Sequence, residues 1–272
     1  CPNDPLFPQQ KALFERLSVL EAWEITKGDP SVIIGVIDTG FDFFHPDLQG
    51  QVLPGYYGPQ GYHPEIAELL GHGTIVSSII AAKDGNGIGM AGLAPNCRVL
   101  GASLGTIEHT VRRLQQAWQD EHPGKEPTVQ DMQQEIAKHR DTIRTFSLAW
   151  AEYQSARIGE AARYLADHGA KVINFSGGGV PRKAFPPEAW TWIDDAFAYA
   201  ASKDVVLVVA AGNNAMELND YPGPADQRLV AGAAFLNDTR WEQKNFGGSG
   251  MTQGSNFGQQ LSVMAPAENI QV

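Results

Sequence analysis

The chain has 272 residues, 43% of them apolar, and a formal net charge of −11. This length suits one large α/β domain or two small ones, and the apolar content supports a sizeable core, which excludes disorder as the starting reading. The acidic excess argues against nucleic acid and anionic membrane as partners, although it also serves solubility alone, and no apolar run approaches the roughly 20 residues of a membrane span.

The chain opens Cys1-Pro2-Asn3-Asp4-Pro5, with neither an initiator methionine nor a signal-peptide pattern, so a processed or trimmed start is expected. Cys1 and Cys97 match no metal spacing and no disulfide framework. A single bridge between them is not indicated, and Cys97 reads as a small buried residue before a strand.

Residues 32–38 (VIIGVID) form a near-continuous apolar run, as a strand buried on both faces should. Residues 72–82 (HGTIVSSIIAA) read as a helix, 98–102 as a short strand and 171–175 (KVINF) as another. A helix is expected over 189–202. The most apolar run, 205–211 (VVLVVAA), is the best candidate for a central strand, and 229–234 and 261–264 are weaker strands. Such alternation predicts an α/β fold: a mainly parallel sheet with helices on both faces.

The stretch 106–153 stands apart, because no buried strand occurs in it. Pro127 and Thr128 with Asp131 form a helix start. Met132, Ile136, His139, Ile143, Phe146, Trp150 and Tyr153 then recur at steps of four and three, a seam on one helix face. The helix is expected to run to His168, with Gly169 as its stop. An earlier helix carries Val111, Leu114 and Trp118, and a turn at 121–127 would pack the two together. A self-packed helical insertion accounts for these stripes; a docking surface for a partner or prosegment is the functional alternative.

Three polar residues sit where α/β folds place their chemistry. Asp38 ends the first apolar strand and is followed by Thr39-Gly40. Alone it reads equally as a turn cap, and aspartic proteases carry the same tripeptide. His72, between Gly71 and Gly73, opens the apolar helix, where the helix dipole disfavours an imidazolium and keeps a general base neutral at rest. Asn213 follows the most apolar strand in Ala-Ala-Gly-Asn and offers an amide N–H to a developing oxyanion, although Asn after Gly is also ordinary turn chemistry.

Taken together and in this order, these segments resemble the subtilisin-like serine proteases. The resemblance rests on VIIGVIDTGFDFFHPDL (32–48), GHGTIVSSIIAA (71–82), GIGMAGLAPNCRVLGA (87–102), VINFSGGG (172–179), VVAAGNN (208–214) and SNFGQQLSVMAPAENI (255–270). It spans nearly the whole chain, 1–272, outside the insertion. It implies Asp38 as the triad acid, His72 as the general base and Asn213 as the oxyanion-hole side chain. It also implies Ser176, Gly177 and Gly178 as the edge strand that pairs with substrate backbone, with Ala211 and Gly212 on the opposite wall of the primary pocket. The family usually carries Leu where Gly177 stands, so specificity does not carry over. No cofactor is required for the chemistry, but Asp47 and Asn86 match a structural calcium site. Residues 1–10 (CPNDPLFPQQ) resemble the arm between prodomain and catalytic domain, and family habit favours a secreted or periplasmic protein.

The family's nucleophile lies in Gly-Thr-Ser-Met-Ala, beyond the segment matched by Met264-Ala265-Pro266, and the sequence has no such motif. Ser249, in Gly-Ser-Gly-Met, lies upstream of the matching order and reads as a loop residue. The expectation is therefore a serine endopeptidase whose serine comes from a complementary C-terminal fragment of the same precursor, acting on peptide or protein substrates. A truncated chain and a non-catalytic pseudoprotease or regulatory binding subunit are the alternatives. Without the serine-bearing helix, the apolar faces of VIIGVID and VVLVVAA should be partly uncovered.

Overall fold

A computed structural model describes residues 2–57, 71–104, 116, 118–125, 127, 131, 140–177, 182, 187–244, 252–267 and 270, with main chain alone over 140–153. Seven strands, all parallel, form the main sheet: β1 (Ile33–Asp38), β2 (Val52–Tyr56), β3 (Arg98–Ser103), β4 (Ala170–Phe175), β5 (Val206–Ala210), β6 (Arg228–Ala234) and β9 (Val263–Pro266). Their order is β2-β3-β1-β4-β5-β6-β9. A short antiparallel pair, β7 (Glu242–Gln243) and β8 (Gln253–Gly254), lies outside it. The helices are α1 (Phe7–Arg16), α2 (Val19–Ile25), α3 (His72–Ala81), α4 (Arg140–Asp167) and α5 (Pro187–Ser202).

The apolar runs become strands because parallel strands lie between helical layers. Ile37 of β1, Ile173 and Phe175 of β4, Leu207 and Val209 of β5 and Val230 of β6 share one face and pack against α4 and α5. Ala161, Ala162 and Leu165 of α4 are fully buried there. On α5, Ala189, Trp190, Ile193, Ala196, Phe197, Ala200 and Ala201 form the buried stripe expected of an amphipathic helix. The two helices cross closely at Gly159, where a Cβ would stand 2.9 Å from the Trp192 carbonyl oxygen. Gly169, at φ +88°, ends α4 as expected.

The opposite face is only half covered. Val36 of β1 and Val99 of β3 are fully buried with Ala81 and Ala82, at and just beyond the end of α3. Farther along the sheet, Val206 is 44% exposed, Leu229 42% and Val263 47%. Register places Leu229 beside Val208 and Val263 beside Ala231, so these residues form one open apolar surface over β5, β6 and β9. The expected uncovered face therefore occurs on VVLVVAA but not on VIIGVID, which α3 covers.

Other expectations shift in detail. The middle strand is β4, and β5 lies one place to its side. β2 was not foreseen: Pro54 and Gly55 break its pattern, which an edge strand tolerates. Within residues 1–10, α1 begins at Phe7. Phe7, Gln10 and Phe14 are buried, and the Gln10 side chain exchanges two hydrogen bonds with the main chain of Ala91. Cys97 is a free, buried thiol just before β3. The 106–153 insertion falls largely outside the described residues, as do the side chains of its seam. Trp118 is buried and stacks on His122 at 4.3 Å, beside the turn expected near 121–127. As expected, the helix continues beyond the insertion, to Asp167, and its second half belongs to the main core.

Candidate active site

In a parallel sheet every strand ends on one rim, and the candidate residues gather there. Asp38 is the last residue of β1, and its register partner on β3 is Ser103. It is 5% exposed, so its carboxylate needs partners. Oδ1 accepts the Thr39 main-chain N–H at 2.7 Å and the Thr39 hydroxyl at 3.3 Å. His72 Nδ1 lies 2.8 Å from Oδ1 and 3.0 Å from Oδ2. A carboxylate only accepts, so the contact requires the proton on Nδ1 and leaves Nε2 as the basic nitrogen of the neutral ring. The His72 side chain is 54% exposed, while that of Asp38 is 3% exposed.

Local sequence explains how a helix start reaches a strand end. Gly71, at φ +71°, turns the chain into α3. Gly73 permits contact: a Cβ there would stand 2.0 Å from the Gly40 carbonyl oxygen and 3.2 Å from Asp38 Cβ. Thr74 Oγ1 accepts the Asp42 N–H at 2.9 Å, tying the loop after β1 to the first turn of α3. The Ser103 hydroxyl donates to the Thr39 carbonyl at 2.8 Å. Thr74 and Ser103 were not singled out in the sequence. Thr74 lies inside the GHGT motif, whereas Ser103 carries no local signal.

Asn213 leaves the same rim, three residues past β5 and two strands from β1, about 10 Å across by ladder spacing. Its side chain is exposed and makes no hydrogen bond among the described residues. Gly212 precedes it at φ +90°. Ala211 is buried, and the Tyr221 hydroxyl donates to its carbonyl at 3.3 Å. Burial pushes the Tyr221 phenol up, so it stays a donor at neutral pH.

The candidate substrate-binding residues Ser176 and Gly177 follow the Asp38 strand's neighbour in the sheet. They form a turn directly after the central strand β4, and Gly178 lies outside the described residues. The Phe175 ring fills the space that a Cβ on residue 177 would need, at 2.8 Å. A leucine at 177 would therefore have to displace that ring.

The subtilase family model matches residues 29–272. The chain belongs to the subtilase family. It is 32% identical over 270 residues to the thermophilic serine proteinase of Bacillus sp. (strain AK1), covering 99% of this chain and 52% of that protein. It thus spans about half the length of that curated relative. To thermitase of Thermoactinomyces vulgaris it is 27% identical over 247 residues, 90% of this chain and 70% of that protein. The fold matches the solved MycP3 protease from the type VII (ESX-3) secretion system with a TM-score of 0.61 at 23% identity, over 99% of this chain and 66% of that one.

The candidate calcium residues Asp47 and Asn86 are held here by hydrogen bonds. Asp47, 1% exposed, accepts the Asn86 side-chain N–H on Oδ1 and the Met90 main-chain N–H on Oδ2, both at 2.8 Å. Asp4 accepts the N–H groups of Gly85 and Asn86, and Asn86 Oδ1 accepts that of Ile88. Asp47 and Asn86 do meet, but an amide N–H rather than an open oxygen cage faces the carboxylate. Among the described residues no cluster of three or more His, Cys, Asp or Glu is poised for a metal. No catalytic step runs through a cation.

Proposed function

We propose that this subtilase carries the acid, base and oxyanion residues of a serine endopeptidase whose nucleophilic serine comes from a companion segment of the same precursor. The observation that carries this reading is the Asp38–His72 contact, in which a buried carboxylate meets a half-exposed imidazole at the sheet's C-terminal rim. Four described serines near the sheet and α3 are engaged elsewhere: the hydroxyls of Ser77, Ser78 and Ser103 donate to main-chain carbonyls, and Ser176 accepts from Asn174. Ser249 falls outside the described residues. The open face over β5, β6 and β9 supports a companion segment, because an apolar surface of this kind is unfavourable against water.

The chemistry is acyl transfer. His72 Nε2 takes the serine proton as the serine oxygen bonds to the peptide carbonyl carbon, and Asp38 stabilises the resulting imidazolium. Asn213 donates its N–H to the oxyanion. His72 then passes the proton to the leaving amine as the C–N bond breaks, and water, activated by the same base, releases the acyl group.

A fluorophosphonate probe with mass spectrometry of the whole preparation tests the proposal. Label on a serine of a companion fragment is the expected result. A folded chain with no labelled companion would favour a non-catalytic binding subunit. Asn213→Ala should lower kcat by about 10²–10³-fold, the cost that losing an oxyanion donor carries in subtilisin.

The structural calcium remains part of the proposal as a matter of stability alone. Binding would require the Asn86 amide to turn its oxygen toward Asp47. A higher Tm in calcium than in chelator, lost in Asp47→Asn, is the expected outcome; equal Tm values would remove the ion from the account. Family resemblance also leads us to propose a secreted or periplasmic protein, which fractionation of the producing cells checks. No helix among the described residues is long and apolar enough to cross a membrane.

A further inference from the structure

We infer that Asn256 is a positioning residue that aims Asn213, an inference that rests on the peptidase reading above. Asn213 has an exposed side chain with no hydrogen bond among the described residues, so its direction is set by the main chain beneath it. That main chain is zipped to the segment 254–257. Gly212 O accepts the Asn256 N–H at 2.8 Å, and Asn213 O accepts the Gly254 N–H at 3.1 Å. The Ala215 N–H donates to Gly254 O at 2.8 Å, and Met216 O accepts the Phe257 N–H at 3.1 Å.

One side chain joins this ladder. Asn256 is 0% exposed, and its Oδ1 accepts the N–H of Asn214 at 3.0 Å and that of Met216 at 3.2 Å. Asn256 therefore holds the residue before Asn213 with its main chain and the residue after it with its side chain. The fit is close on both sides. A Cβ at Gly254 would meet the Trp241 carbonyl oxygen at 3.0 Å, and one at Gly258 the Leu218 carbonyl oxygen at 2.7 Å. The Ser255 hydroxyl braces the strap from behind, accepting the Ala233 N–H at 3.0 Å and donating to Asn256 O at 3.0 Å. A strap with a buried amide at its centre is how a rigid shell can aim an exposed donor at a transient charge.

A double-mutant cycle in the active preparation, this chain together with its serine-bearing companion, tests the inference. Asn256→Leu keeps the bulk and removes the acceptor. It should lower kcat by about 10–100-fold, the scale of an ångström-sized misplacement, with KM nearly unchanged. In an Asn213→Ala background the same change should cost almost nothing, because no donor remains to be aimed. Asn256→Asp, which keeps an acceptor for both N–H groups, should recover most of kcat. If Asn256→Leu does not fold, Asn256→Ser, too short to reach both N–H groups, replaces it in the cycle with the same expectation.

An equal kcat loss in both backgrounds would overturn the inference, as would an effect confined to KM or no effect at all, and each leaves the peptidase reading standing if Asn213→Ala itself lowers kcat. Should Asn213→Ala leave kcat intact, the oxyanion assignment fails and takes this inference with it.

Discussion

Replacing His72 by alanine should abolish turnover, by about 10⁶-fold in kcat as loss of the triad base does in subtilisin, while the Tm stays within a few degrees of the parent. The two halves of this expectation have separate causes. In the proposed mechanism the imidazole carries the proton for both acyl-transfer steps, and no neighbouring group would replace it. Yet its side chain is 54% exposed, so truncation removes little buried area. Asp38 is left with the Thr39 N–H and hydroxyl as donors. Steady-state kinetics paired with thermal denaturation checks both halves. Activity retained would remove His72 from the base role, and loss of activity through unfolding would make its role structural.

Gly73→Ala should remove stability and activity together. The added Cβ would fall 2.0 Å from the Gly40 carbonyl oxygen, a backbone atom that no side-chain rotation can move aside. The helix must lift off the strand end, at a cost on the order of 3 kcal/mol, and His72, one residue earlier, lifts with it. A displacement of about 1 Å is enough to lower turnover about 10²-fold. Gly71→Ala is the control. It has nothing within 4 Å of the new Cβ and only the left-handed φ of +71° to strain against, which costs about 1 kcal/mol. Urea denaturation should rank Gly73→Ala well below Gly71→Ala. The reverse order would contradict the close helix–strand contact.

These contrasts show what the sequence could carry. VIIGVID, KVINF and VVLVVAA were legible as strands because a buried parallel strand must be apolar along its length. Val52–Tyr56 was not, because an edge strand is free to hold Pro54 and Gly55. Asp38 and His72 were legible through motifs whose order matches the family. The necessity of Gly73 was not, since it depends on Gly40, a residue brought near only by folding. Asn256 stood inside a matched segment with no role attached. Its meaning lies in two N–H groups of a distant turn that converge on one buried oxygen. The surroundings of the candidate calcium residues were hidden for a related reason: oxygen-bearing side chains can be counted in a sequence, but the N–H groups that face Asp47 cannot.

The open apolar face was legible in part, since uncovered faces were expected on both VIIGVID and VVLVVAA. Composition cannot say which half of a sheet is covered, but register can: α3 buries Val36, while Leu229, beside Val208 in the register, stays exposed.

The claim on which the rest depends is that Asp38 holds His72 in one tautomer, with the proton on Nδ1 and the basic lone pair on Nε2. Imidazole ¹⁵N NMR of the selectively labelled protein near neutral pH measures this directly. The account predicts an Nδ1–H and an unprotonated Nε2 at His72, and loss of that preference in Asp38→Asn. A neutral ring with its proton on Nε2 in the parent protein, unchanged by Asp38→Asn, would contradict it.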